Sequence, residues 1–186
     1  MRKILSWTLY NENNNIQILP VDNEDVPEIL NMCVSVLNKV DNPERIKGYL
    51  GSATKWNLSK KCVLDGKIIG AYLLNEFPIQ TMLDNCESLF KKGVFPKCDL
   101  GDYEKYRNLR GLHGLALVVL PEFQKIGAGK KLRDIPLHMG YDYIWGMHLK
   151  SLQNIDQWTR FGRRIVAEFT DKEEEVVYIT IMDLAK

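Results

Sequence analysis

Between positions 26 and 37 the apolar side chains Val26, Ile29, Leu30, Cys33, Val34 and Leu37 recur at three- and four-residue intervals, the period of a helix with one buried face. Asp25 is placed to cap that helix, and Pro27 falls in its first turn, where the missing N–H costs nothing. Upstream, beyond the polar cluster at 11–15, residues 16–21 alternate as a short strand. Residues 43–50 predict a second, shorter helix. Residues 62–74 predict a hairpin, because Asp65-Gly66 is a dipeptide that a tight primed turn favours.

From 78 to 110 the periodicity fades and charged and aromatic residues mix. Such a long connection is read as a functional loop or as a partly helical surface excursion. Residues 112–120 are the most apolar run in the chain and predict a strand buried on both faces, ending at Pro121. A helix is expected over 127–139, shortened or kinked by Pro136 and closed by Gly140. An aromatic-rich strand over 141–149 follows, then a helix over 155–161. Strands over 164–169 and 176–184 flank an acidic turn at 171–175. This order predicts an α/β (α+β) fold, a mixed sheet flanked by helices. With neither repeat nor linker, residues 1–186 read as one domain with an insertion at about 78–110.

Composition narrows the partners. The chain has 186 residues, with 25 Lys+Arg against 24 Asp+Glu and a formal charge of +1, which disfavours a broad polyanion-binding surface. The local balance differs: positions 124–133 carry Lys125, Lys130, Lys131 and Arg133 and no acid. Cys33, Cys62, Cys86 and Cys98 lack paired spacing and read as free thiols of a reducing compartment. Cys86 and Cys98 with a histidine have no metal-ligand spacing, so no metal is expected. Ser6 and Thr8 break the apolar opening run, which has no cleavage site, and no stretch reaches about 18 apolar residues. The expectation is a cytoplasmic protein without a membrane span.

The chemistry concentrates in residues 115–133. A buried strand runs into a turn with Gly127, Ala128 and Gly129, and a helix with Lys130, Lys131 and Arg133 starts there. Small residues admit a ligand close to the backbone, and free N–H groups at a helix start suit an anion, normally a phosphate. A P-loop is excluded because Lys131 stands where Ser or Thr is required, and a Rossmann fingerprint cannot be placed on these glycines.

Gln124-x-x-Gly127-x-Gly129, after Val119-Leu-Pro121, does fit a known pattern. It resembles the acyl-CoA-binding signature of the GNAT superfamily of N-acyltransferases, and the element order resembles that family along nearly the whole chain. The resemblance implies a mostly antiparallel sheet with a central splayed pair of parallel strands, here 112–120 and 141–149, and a pantetheine arm between them. It implies that the backbone of Leu117, Val118 and Val119 pairs with the pantetheine amides. N–H groups across Gln124, Lys125, Ile126, Gly127, Ala128, Gly129 and Lys130 would hold the pyrophosphate, with Lys125, Lys130, Lys131 or Arg133 adding charge.

The family commonly has Asn, a small residue three positions on, and Tyr seven positions after the Asn. Counted back from Gly162, those positions hold Ser151, Asn154 and Trp158. Indole donates a hydrogen bond but is no useful proton source for a departing thiolate. Ser151 or Asn154 is left to hydrogen-bond the cofactor, with Trp158 packed over the thioester. Tyr141, Tyr143 and His148 are the aromatic alternatives for the acid, and His113 or Glu76 is the expected base. The resemblance thus implies transfer of an acetyl group from acetyl-CoA to a primary amine, on a small molecule or a protein, by direct attack in a ternary complex. The alternatives are a non-catalytic acyl-CoA-binding regulatory module, motivated by Trp158, and an acyltransferase for a nucleic-acid-linked amine, to which Arg160, Arg163 and Arg164 lend weak support. The acceptor's identity and a homodimer stay open.

Overall fold

The computed structural model describes residues 15–37, 42–84, 97–98, 105–150, 154–170 and 176–184. In chain order the elements are β1 (Gln17–Pro20), α1 (Val26–Val36), α2 (Pro43–Ala53), β2 (Lys60–Leu64), β3 (Lys67–Glu76), α3 (Ile79–Asp84) and β4 (Lys97–Cys98). Then come β5 (Gly111–Val119), α4 (Ala128–Asp134), β6 (Tyr143–Leu149), α5 (Ile155–Arg160), β7 (Arg164–Thr170) and β8 (Val176–Asp183). They form two compact units, Met1–Asn75 with Leu115–Ile135 and Glu76–Gly114 with Pro136–Lys186. Both draw on β5.

In the first unit the strands run in the order β1-β2-β3-β5, and β1/β2 and β2/β3 are antiparallel. The hairpin turn forms where Asp65-Gly66 predicted it, both residues left-handed at φ 50° and 79°, as a primed turn requires. Ile29, Met32, Cys33 and Leu50 from α1 and α2 pack on Val63, Ile68, Ala71, Leu73 and Val118. Asp25 holds the N-cap position of α1 but its side chain makes no capping bond to that helix: the carboxylate accepts from the Asp22 N–H at 2.7 Å and pairs with Lys61 on β2, and a short 3-10 turn precedes the helix. Asn42 does cap α2, accepting from the Arg45 N–H at 3.0 Å.

Gly70 sets how closely β3 and β5 approach. The Leu120 N–H donates to Ile69 O at 2.9 Å, and a Cβ on Gly70 would meet Val118 O at 2.8 Å and Val119 Cγ2 at 3.1 Å. Gly70→Ala is expected to destabilise the protein by about 1–3 kcal/mol through this overpacking. A urea midpoint unchanged from the parent would refute it.

In the second unit the order is β5-β6-β8-β7-β4. β5 and β6 are parallel, paired at Gly111↔Tyr143, Leu112↔Ile144 and His113↔Trp145, while β6/β8, β7/β8 and β4/β7 are antiparallel. Its core joins Ile79, Tyr106, Tyr143, Trp145, Val166, Val177, Ile179 and Ile181. Two aromatic tips on β6 fasten the chain leaving β3: the Tyr143 hydroxyl accepts from the Ile79 N–H at 3.0 Å, and Trp145 Nε1–H donates to Phe77 O at 2.6 Å.

Several expectations are corrected here. The strand predicted as buried on both faces is buried at its two ends, but Gly114–Leu117 is only partly buried, because the ladder with β6 runs over Gly111–His113 alone. The helix after Gly127 ends at Asp134, and a 3-10 turn over Ile135–His138 replaces its last part, since Pro136 lacks the N–H a continuing helix needs. In the 78–110 stretch α3 and the two-residue β4 appear. Residues 85–96 and 99–104 lie outside the described residues, as does the acidic turn at 171–175, while 105–110 are turns leading into β5. No helix among the described residues is long and apolar enough to cross a membrane.

Candidate functional site

In the first unit the chain leaves β5 at Val119, turns through Pro121–Phe123 and reaches α4 through an exposed loop. The Gln124 side-chain amide donates back to Val119 O at 3.4 Å, which braces the loop on the strand it left. Lys125 and Gly127 are both left-handed, at φ 72° and 93°. Such reversals bend successive backbone N–H groups toward one side and form a nest for an anion, and the first N–H groups of α4 add donors without intrahelical acceptors. α4 has only 7 residues, so its dipole is small and the N–H groups of Lys125–Lys130 must carry most of the attraction. A Cβ on Gly127 would meet nothing within 4 Å, and one on Gly129 would make ordinary contact with Val119 Cγ2 at 3.7 Å.

The four cations of this stretch are not equivalent. Lys131 Nζ donates to Ile16 O at 3.2 Å, and Arg133 and Lys130 share Asp134 at 3.0 and 3.5 Å. Lys125 has no ion pair among the described residues and stands at the nest itself.

In the second unit the polar groups gather where the β5/β6 ladder stops. His113 lies flat on Trp145, ring centroids 3.9 Å apart and planes within 3°. Next along β6, a Cβ on Gly146 would meet Arg163 Nη1 at 2.9 Å and Gly114 O at 3.2 Å. His148 Nε2 lies 2.9 Å from Thr180 Oγ1, to which Arg163 Nη1–H donates at 3.3 Å. Arg163 is 4% exposed, and its guanidinium lies 4.4 Å from the Trp158 ring centroid. Gly162 explains that placement: at φ 87° it ends α5 with a left-handed turn, and the Arg163 N–H then donates to Trp158 O at 3.1 Å.

Burial, reinforced by the Arg163 charge, depresses the pKa of both His113 and His148 to about 3, with His113 adding to the effect on His148. Both imidazoles are therefore neutral and weakly basic near neutral pH. Of the expected catalytic residues, Tyr143 is fully buried with its hydroxyl engaged at Ile79 N–H. Glu76, half exposed at the end of β3, stands 3.4 Å from Arg110, whose guanidinium lies over Tyr141. Trp158 is half buried on α5, where it meets His148 at 5.3 Å between ring centroids. The Asn154 amide oxygen is buried without a hydrogen-bond partner, and Ser151 lies outside the described residues. Among the described residues no group of His, Cys, Asp or Glu could hold a metal ion.

Thr180 was not singled out by sequence, and Arg163 only as weak support for a nucleic-acid-linked acceptor. The available signal was Gly146: a glycine inside a strand marks the close approach of something else to the backbone.

No protein-family profile and no curated protein sequence matches the chain. Solved structures do. A GNAT-family acetyltransferase from Bacillus cereus superposes with a TM-score of 0.59 at 12% identity, over 92% of this chain and 99% of its own. A polyamine N-acetyltransferase from Drosophila melanogaster gives 0.63 at 13% identity, over 91% and 100%. Arabidopsis thaliana Naa50, in complex with a CoA–peptide bisubstrate analogue, gives 0.59 at 14% identity, over 89% and 97%. The chain has the GNAT fold.

Proposed function

We propose that the GNAT fold here serves an N-acetyltransferase that moves an acetyl group from acetyl-CoA to a primary amine by direct attack. The observation that carries this reading is the end of the β5/β6 ladder at His113, followed on the same strand by a part-exposed edge and then by the nest at Gln124–Lys130. The features suit the co-substrate. An unpaired strand edge offers backbone groups to the two pantetheine amides, and left-handed turns without bulky side chains admit a pyrophosphate close to N–H donors. Leu117, Val118 and Val119 would line the arm, Lys125 would add charge, and the unpartnered oxygen of Asn154 would accept from the cofactor. Structures that share this fold include enzymes whose acceptors are a polyamine and, as the peptide analogue indicates, a peptide.

Binding both reactants supplies much of the rate, by replacing an encounter with an oriented attack. The attacking nitrogen must still lose a proton. His113 is a poor base at about 3, so Glu76 is the better choice, acting directly or through water. Glu76→Gln is expected to lower amine-dependent turnover by about 10²-fold or more with acetyl-CoA binding unchanged; full activity would remove Glu76 from this role. The decisive test of the whole reading is thiol release from acetyl-CoA against a panel of small amines and peptides. Tight binding without turnover on any acceptor would make the chain a binding module instead. A single functional domain in a cytoplasmic setting, with 78–110 lining the acceptor, completes the proposal.

A further inference from the structure

We infer that Arg163 stabilises the departing CoA thiolate as a fixed positive charge, in place of a proton donor. This rests on the acetyl-CoA reading above. The need follows from Trp158, whose N–H cannot surrender a proton to sulfur. A guanidinium cannot surrender one either, since it stays charged throughout the working pH range. It can supply charge, and a preformed charge in a water-poor site stabilises a developing anion without reorganising.

The second unit is built to hold that charge at the end of the ladder. Gly162 turns the chain so that the guanidinium stacks on the Trp158 ring. Gly146 leaves out the side chain that would keep Nη1 off β6. Thr180 on β8 accepts from Nη1, which leaves its own hydroxyl proton for His148 Nε2 on β6. The titratable neighbours from the other strands, His148 on β6 and His113 on β5, add no competing positive charge while neutral. This role requires the thioester sulfur to reach the end of the β5/β6 ladder, beside Gly146.

The step balances without an acid. The bond from the acceptor nitrogen to the carbonyl carbon forms, and the carbon–sulfur bond breaks with its electron pair left on sulfur. The nitrogen's proton passes to Glu76 or water, and the thiolate takes a proton from solvent after release. A free thiol of pKa about 8.5 is a tolerable leaving group on these terms, and a neighbouring cation improves it.

The test is an ultraviolet titration of the thiolate of CoA bound to the full chain, with desulfo-CoA as the blank. The thiol midpoint is expected at least one pH unit below that of free CoA, and an equal or higher midpoint overturns the inference. Arg163→Met should restore the free-CoA midpoint and lower kcat about 100-fold, with acetyl-CoA affinity within about threefold. Arg163→Lys should retain more of both effects than Met. Full kcat in Arg163→Met overturns the inference. Should that variant fail to fold, the titration of the parent protein decides alone. Failure of the parent chain to bind CoA overturns this inference and the acetyltransferase reading together. CoA binding and amine-dependent thiol release with an unshifted midpoint overturns the role of Arg163 alone.

Discussion

Between about pH 7 and pH 5 the protein is expected to lose roughly 4 kcal/mol of stability, about 2 from each of two buried imidazoles. His113 and His148 are 6% and 7% exposed and hold folded-state pKa values near 3, against about 6.5 in an unfolded chain. Between those values the unfolded state binds protons that the folded state refuses, so acidification favours unfolding. The contribution is complete above about 6.5 and drains away as pH falls toward 3. The two sites interact, so the loss belongs to the pair. The carboxylates of Asp25 and Asp183 are held below the usual carboxylate range and leave this window to the histidines. Urea midpoints at the two pH values measure the effect, and His148→Asn, which can keep a bond to Thr180, should roughly halve it. A flat midpoint over this range would mean that the imidazoles are not held neutral.

Acetyl-CoA binding is expected to fall by about 100-fold or more in Gly127→Val. At φ 93° a β-branched residue is strained whatever the free space around it. To relieve that strain the loop must give up the left-handed turn, and the N–H groups on either side of it rotate away from a common centre. Gly129→Ala separates this backbone cause from crowding. Its Cβ would sit at ordinary contact distance, so any loss of affinity there must come from a ligand that approaches the backbone closely. Isothermal titration of both variants, with thermal melts to show that they fold, reads the two effects. Parental affinity in both would remove the nest from the binding site.

The order of elements was legible because each was punctuated. Asp65-Gly66 fixed the hairpin, Pro121 ended β5, and Pro136 shortened α4. The left-handed turn at Gly127 was legible for the same reason, since glycine spacing reports backbone geometry directly. What escaped was whatever depends on a partner distant in sequence. β4 is a two-residue strand that exists by pairing with β7, and nothing in its own sequence demands it. The open middle of β5 follows from a ladder that stops after three pairs, whereas its composition reads as uniformly buried. Arg163 takes its buried place only because Gly146, Thr180 and Trp158 meet it from three other elements. Asp25 looked like a cap because its local setting permits one, and Lys61 drew the carboxylate elsewhere.

The fastening of Phe77 and Ile79 by the Trp145 and Tyr143 side chains has a counterpart downstream. The Tyr106 hydroxyl donates to Asp183, and the Arg110 N–H donates to Asp142 Oδ2 at 2.8 Å. Both feet of the long excursion are thus bolted to β6, β8 and the turn before β6. The chain between two such fixed feet has its closure entropy already met, and added length costs only logarithmically. Residues added between these two feet are therefore expected to cost the fold little, a cost that denaturation midpoints of insertion variants would measure.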